Sequence, residues 1–390
     1  MVAMATLSLL VIYLRRLGGG PRRPWRRRSR RPGHTAYQQF DTEGAPVSAW
    51  GIPSGRLSTP RAVALVLGGA IMLGSAGTAA VFAPVSASSA TVGGMRLMIG
   101  SAALLAVLPL VGGSWRTVPA LLMRPTVWVM AVTSAAYQPL FFGAVDRAGV
   151  ALSTLIAVGA VPVFAGLLGW LVLGHRPTRL WLLATAVAVT GLIVRSMGQF
   201  APEEGLDGPG VGVLMACTAG FGSGCYMVAA KVGLDRGDHA VEMPAAAYLL
   251  GSVFIAPLVL TQPLGWVLSP RGALVALYLG VVTMALANVL PVVGMHSMSA
   301  GPASTLLLGD PLTATVLGVL VLGEALPVNG IIGLALVATG VVLQTVATTH
   351  ASATRAPRVK HGESEGFRAD STRPPPANTA SRKVSRRAVP

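Results

Sequence analysis

The chain has 390 residues, of which 53% are hydrophobic and only 11% charged, with a mean hydropathy of +0.65. Soluble domains carry about 25% charged residues, so this chain lacks the polar surface of a water-soluble fold of its length, and an ordinary soluble enzyme is excluded. The formal net charge of +16 sits at the ends: residues 1–60 hold ten Arg and two acids, residues 351–390 hold nine basic and three acidic side chains, and the stretch between is nearly neutral.

The first fourteen residues, MVAMATLSLLVIYL, are short for a membrane span, and Arg15 and Arg16 follow the apolar run, opposite to a signal peptide. Three readings stand for this segment: an extra helix entering from outside, a helix lying on the membrane surface, or a mis-assigned start codon. The arginine-rich run from Pro21 to Gly33 is low in complexity. Residues 1–60 and 349–390 are expected to be disordered, basic tails. Anionic lipid headgroups are their expected partner, at about 1 kcal/mol per basic residue near the surface; no folded reading module accompanies them, so no nucleic-acid partner is expected.

Ten apolar runs of spanning length follow, at 61–83, 88–111, 125–143, 150–173, 179–197, 209–230, 243–262, 271–294, 301–322 and 328–348. The run lengths predict helices, with no alternation of the barrel type. With the N-terminus inside, the inner loops carry Arg116, Arg124, Arg176, Arg179, Lys231 and Arg236, and the outer loops carry Arg147, Arg195 and Arg271. Loop charge therefore predicts that both termini are cytoplasmic. High Ala, Gly, Val and Arg usage points to a GC-rich bacterial genome and hence to a bacterial plasma membrane.

The chain repeats itself. PVFAGLLGWLVLGH at 162–175 matches PLTATVLGVLVLGE at 311–324, and Thr190-Gly191 matches Thr339-Gly340 at the same offset. Ser153-Thr154-Leu155 pairs likewise with Ser304-Thr305-Leu306. The reading is a first five-helix unit at 61–198, a loop at 199–208 and a second unit at 209–348. Five crossings are odd, so the copies enter the membrane with opposite orientation. Such inverted repeats are built around a midplane site in transporters that alternate access.

The Ser-Thr-Leu…Pro…Leu-Val-Leu-Gly-Glu…Thr-Gly-Val-Val-Leu pattern closing each half resembles the EamA-type transporters of the drug/metabolite transporter superfamily, over about 61–348. The resemblance implies ten transmembrane helices in two inverted repeats and export or import of amino acids, metabolites or drugs, with efflux favoured. The first half departs from it, with His175 where the family has the Glu kept at Glu324. His175 and Glu324 read as a helix-end polar pair of the repeat.

Charges at membrane depth are costly and mark function by default. Arg96, in GGMRLMIG, is either an anchor for an anionic substrate group or a structural cation bonded to nearby carbonyls. Asp310, beside the helix-bending Pro311, is a candidate for proton coupling, as is His296 near the end of the eighth span. Tyr137 and Gln138 with Pro139 are expected to interrupt the third span, and Asn288 with Pro291 the eighth; these are repeat partners, and paired irregular helices point to a transporter site. Tyr226 offers a ring face or a hydroxyl. Arg96, Tyr137, Gln138, Tyr226 and Asn288 form the expected substrate-binding set. Gly220 and Gly224 give a Gly-x-x-x-Gly spacing for close helix contact, within the chain or across a homodimer. Cys217 and Cys225 are too far apart on one helix for a disulfide. No metal-ligand spacing, cofactor motif, catalytic motif or nucleotide-binding domain is present, so no metal, cofactor or enzymatic activity is expected. The expected function is a secondary transporter of a small organic solute; the rival readings are a flippase for a lipid or lipid-linked sugar and a non-transport membrane protein presenting its tails.

Overall fold

The computed structural model describes residues 57–197, 209–323 and 327–353. The first fourteen residues, residues 1–56 and 354–390 of the basic tails, the 199–208 loop and Glu324 lie outside them; residues 59–60 and 349–353, expected in the disordered tails, instead belong to the first and last helices. Ten helices among the described residues are long and apolar enough to cross a membrane. They are α1 Thr59–Val81, α2 Ser89–Val107 with a tighter turn to Val111, α3 Pro125–Ala148, α4 Val150–Leu173, α5 Arg179–Ser196, α6 Pro209–Asp235, α7 Glu242–Leu260, α8 Pro270–Gly294, α9 Ala300–Leu322 and α10 Val328–Ala353. A helix satisfies its own backbone, which lipid cannot do, so long apolar runs fold this way. Local signals set the ends. Ser88, Thr178 and Ser269 cap α2, α5 and α8 by accepting from the Thr91, Trp181 and Gly272 amides. Left-handed Gly174 and Gly323 close α4 and α9. The chain is an all-α membrane protein whose ten spans form two inverted sets of five.

The helices pack across the two sets rather than within them. α1 lies on α8 and α9; α6, its counterpart, lies on α3 and α4. α2 packs on α7, and α5 on α10. Exchanging each helix for the one five places along maps these contacts onto themselves, which is the signature of a pseudo-twofold axis. Small residues make the contacts close. A Cβ added to Gly191 of α5 would stand 2.6 Å from the Val337 amide nitrogen of α10, and one added to its repeat partner Gly340 would stand 2.7 Å from the Ala184 carbonyl oxygen of α5. Gly220 and Gly224 of α6 meet α4 in the same way, at Ala157 and Phe164. Their spacing is thus used inside the chain.

Three features depart from expectation. Pro139 does not interrupt α3, which runs unbroken through it; one missing donor is tolerated in a packed span. The irregularity of α8 lies upstream of Asn288, where Leu279–Leu286 forms wide π turns. A true break falls instead in α9, whose halves Ala300–Leu306 and Gly309–Leu322 are separated by a turn at Leu307 and Leu308. α4, the counterpart of α9, is continuous despite Pro162.

The glycine seam carries the first prediction. Gly191→Ala should cost about 1–3 kcal/mol by overpacking. Gly169→Ala, which meets no atom within 4 Å, should be neutral or stabilising by about 0.5–1 kcal/mol. Denaturation of the two variants in the same detergent measures the difference, and equal stabilities would contradict the close approach of α5 and α10.

Candidate functional site

A cavity of about 410 Å³ lies between α1, α8 and α9 on one side and α3, α4 and α6 on the other. Nine of the ten spans contribute to its wall, α10 being the exception. Its volume falls in the range of small-molecule sites, about 300–1,000 Å³. Arg96, Tyr137, Gln138, Tyr226, Asn288 and Asp310 all line it. His296 does not: it sits in the turn after α8 with Nδ1 3.0 Å from the Val293 carbonyl oxygen. His175 follows the Gly174 cap and lines a separate recess of about 70 Å³ with Arg176, Thr178 and Trp181.

Arg96 owes its place to a close crossing of α2 and α8. A Cβ on Gly100 would stand 3.0 Å from the Gly280 carbonyl oxygen, and one on Gly280 would stand 3.1 Å from the Gly100 amide nitrogen. This presses α2 onto the π turns of α8, a helical form often found at functional sites. The Thr283 carbonyl there accepts Nη2 of Arg96 at 2.8 Å. Nε of Arg96 is buried with no partner, and no ion pair joins Arg96 to an acid among the described residues. Among the described residues, one bond to a neutral carbonyl is therefore its only hydrogen bond. Asn288, one turn on, donates Nδ2 to the Met284 carbonyl at 3.0 Å, bracing the same stretch of α8.

Asp310 lies in the first turn of the second half of α9, just past the break, and lines the cavity together with Arg96 and Arg195. α1 supports it from behind: a Cβ on Gly74 would stand 2.5 Å from the Asp310 carbonyl oxygen. Arg195, at the end of α5, donates Nε to Oγ1 of Thr315 at 2.9 Å, tying α5 to α9 one turn beyond Asp310. Aromatic rings complete the wall. Tyr137 stacks on Phe141, with ring centroids 5.6 Å apart, and the Tyr226 hydroxyl donates to that of Tyr248 at 3.2 Å.

Sequence reasoning missed Arg195, Tyr248, Ser223 and Ser304, all of which line the cavity. Arg195 ends its span, so in the sequence it reads as a loop charge. Ser304 belongs to the Ser-Thr-Leu repeat, and Thr154 of the other copy also lines the cavity, so the repeat itself held that signal. Tyr248 and Ser223 had none beyond being polar groups inside apolar runs.

Two arginine ties at helix starts lie away from the cavity. At the start of α3, Arg124 pairs with Asp238 of the α6–α7 connection at 3.4 Å. At the start of α8, Arg271 donates Nε to the Phe82 carbonyl of the α1–α2 connection at 2.7 Å. These are pseudo-symmetric counterparts, and both are made at once. Each fastens helices already packed together: α3 to the α6–α7 pair, and α8 to the α1–α2 pair.

Two inverted five-helix sets enclosing, at their seam, a cavity with polar side chains from both sets in its wall define a membrane transporter. The chain belongs to the EamA-like transporter family, which matches it twice, over residues 60–197 and 210–346. It is 35% identical over 291 residues to "Uncharacterized transporter YwfM" of Bacillus subtilis (strain 168), covering 72% of this chain and 93% of that one. A second relative, an "Uncharacterized transporter" of Clostridium kluyveri, is 26% identical over 166 residues, covering 40% of this chain and 53% of its own length. A solved crystal structure shares the fold at a TM-score of 0.63 with 19% identity, over 74% of this chain and 98% of that one.

The geometry makes a labelling prediction. In a Cys217→Ser background, Ser223→Cys should react with a small water-soluble thiol reagent in detergent, because position 223 faces the cavity. Buried, free Cys225 should stay inert in the same sample. Mass spectrometry reads both sites, and labelling at Cys225 without labelling at position 223 would contradict the placement of the cavity.

Proposed function

We propose that this protein is a secondary transporter that carries a small organic solute across the bacterial plasma membrane by alternating access, with both termini cytoplasmic. The observation that carries the reading is a single cavity whose wall draws charged, aromatic and amide side chains from both inverted sets. Arg96 anchors an anionic group of the solute. Tyr137, Gln138, Tyr226 and Asn288 shape the pocket around its body.

The packing supports a particular motion. α1 with α8 and α9, and α3 with α4 and α6, form two bodies that each mix helices from both sets. The cavity lies between them, and the Arg124 and Arg271 ties fall on opposite bodies. Rocking of one body against the other exposes the cavity to either side without breaking those ties. The glycine-lined α5–α10 contact stays closed and serves as the pivot.

The test uses the full chain in proteoliposomes preloaded with unlabelled solute. Counterflow of labelled amino acids and organic acids should be saturable for at least one of them. Arg96→Gln, shown folded by its elution and thermal melt, should lower that flux at least about tenfold, the loss expected for one charge-assisted bond of about 1.5–3 kcal/mol. No saturable counterflow for any solute with folded wild-type protein would overturn transport. Full activity of Arg96→Gln would remove Arg96 from the site.

A further inference from the structure

The two ends of the cavity are not alike. Its lining runs toward the end of the bundle that carries the α1–α2 connection, through Gly77 of α1, Phe141 of α3, Thr154 of α4 and Arg195 of α5. Equivalent stretches of α1 and α6 show the contrast. Gly74 and Gly224 hold matching places, since a Cβ on the first would meet Thr313 and Ala314 of α9 and one on the second Phe164 and Ala165 of α4. Beyond them, every residue of α6 up to Leu234 is buried, whereas none of α1 from Ser75 to Val81 is. The break in α9 follows the same division. Its half nearer the α6–α7 end, Ala300–Leu306, packs on α4 and α6, while the far half, Gly309–Leu322, lies on α1 and α10. The two bodies therefore touch at the α6–α7 end and part at the other.

Lys231 stands in the closed seam. It is buried, and its ammonium donates to the Met295 carbonyl, just past the end of α8, at 2.8 Å. Asp235, one turn on in α6, pairs with it at 2.9 Å. The second contact stays within one helix; the first crosses from the α3–α4–α6 body to the α1–α8–α9 body, which neither the Arg124 nor the Arg271 tie does. Met295, Met298 and Ala300 are buried beside it, so the bond lies out of water, where a charge-assisted bond is strong. At the open end the residue matching Lys231 is Val81, seven positions past Gly74 as Lys231 is past Gly224, and it is 61% exposed.

We infer that Lys231 is the latch of the cytoplasmic mouth: its bond to the Met295 carbonyl holds the resting carrier open to the outside, and the cavity reaches the cytoplasm only when that bond breaks. The inference rests on the alternating-access reading and the orientation proposed above, and deepens them by naming the contact that gates one side. Parting the bodies here leaves Lys231 paired with Asp235 and hydrated by the water that enters, so no orphaned charge opposes opening. The latch therefore weights the closed mouth without locking it. Val81 can supply no such bond, so the outer mouth has no latch of this kind.

The test uses the full chain in bacterial membranes, with Cys217→Ser and Ser223→Cys placing one reactive thiol in the cavity while Cys225 stays buried. A membrane-impermeant maleimide is applied without solute, either to intact spheroplasts or to inside-out vesicles. Initial labelling should be at least about tenfold faster from the outer face than from the cytoplasmic face. Lys231→Ala should raise the cytoplasmic rate at least about tenfold, the shift expected when one charge-assisted bond leaves a two-state equilibrium. Lys231→Gln, which keeps most of the side chain's bulk, carries the same expectation, and elution and thermal melt show each variant folded. Equal rates from both faces in the parent, a faster cytoplasmic rate there, or an unchanged cytoplasmic rate in a folded Lys231 variant would overturn the latch. Saturable counterflow of a solute alongside such a result would leave transport standing. The expected labelling with no counterflow for any solute would instead overturn the transport reading.

Discussion

In a bilayer the lipid chains are as apolar as a leucine, so helices are held together by close packing of backbones rather than by escape from water. Everything in this bundle depends on where glycine permits that approach. Gly191 and Gly340 bring α5 and α10 together; Gly69 and Gly74 seat α1 on α8 and α9; Gly220 and Gly224 seat α6 on α4. Tight seams at these places leave loose fit elsewhere, and the looseness is the cavity. Gly100 against Gly280 does one thing more, because it sets α2 so close to α8 that Arg96 reaches a main-chain carbonyl.

The architecture was largely legible in the sequence. Span lengths and a matched motif pair are properties that survive averaging over many residues, and they define ten helices in two sets. Arg96 and Asp310 were legible because a charge inside an apolar run is rare enough to be its own signal. Tyr137 and Asn288 were legible as repeat partners, although the helix distortion expected at Tyr137 is absent. The break in α9 was not legible, since Pro162 of the matching segment sits in an unbroken helix. What distinguishes the two is context: in α9 the Gly309-Asp310-Pro311 segment stands against Gly74 of α1, and no local rule contains that neighbour. Arg195 was misjudged for a related reason, because the end of a span seen in sequence says nothing of which side chain turns inward.

The two sets share a fold but not a chemistry. At equivalent corners an arginine at the start of α3 meets a carboxylate, while one at the start of α8 meets a carbonyl. Lys231, buried near the end of α6, adds bonds to Asp235 and to the Met295 carbonyl at the C-terminal end of α8, which also suits the dipole of that helix. The α6–α7 end is therefore knitted by charge and the α1–α2 end by neutral acceptors. An inverted repeat of identical halves would have end states of equal energy. Unequal chemistry at the two ends removes that degeneracy, so under the alternating access proposed above the resting conformation would be set by these particular side chains and not by the fold.

Incomplete satisfaction is what separates a binding cation from a structural one. Had α8 offered Arg96 a second carbonyl, more of its charge would be settled within the protein. A buried donor without a partner costs about 1–3 kcal/mol, and a ligand that supplies the missing acceptor recovers that amount on binding. The same shortfall limits affinity, because only part of the bond network is left for the ligand to make. A carrier needs that limit: a solute bound by everything the site could offer would not leave on the far side. The π turns that fix the Thr283 carbonyl decide how much of Arg96 is spoken for, so in the site proposed above they count as much as the arginine they hold.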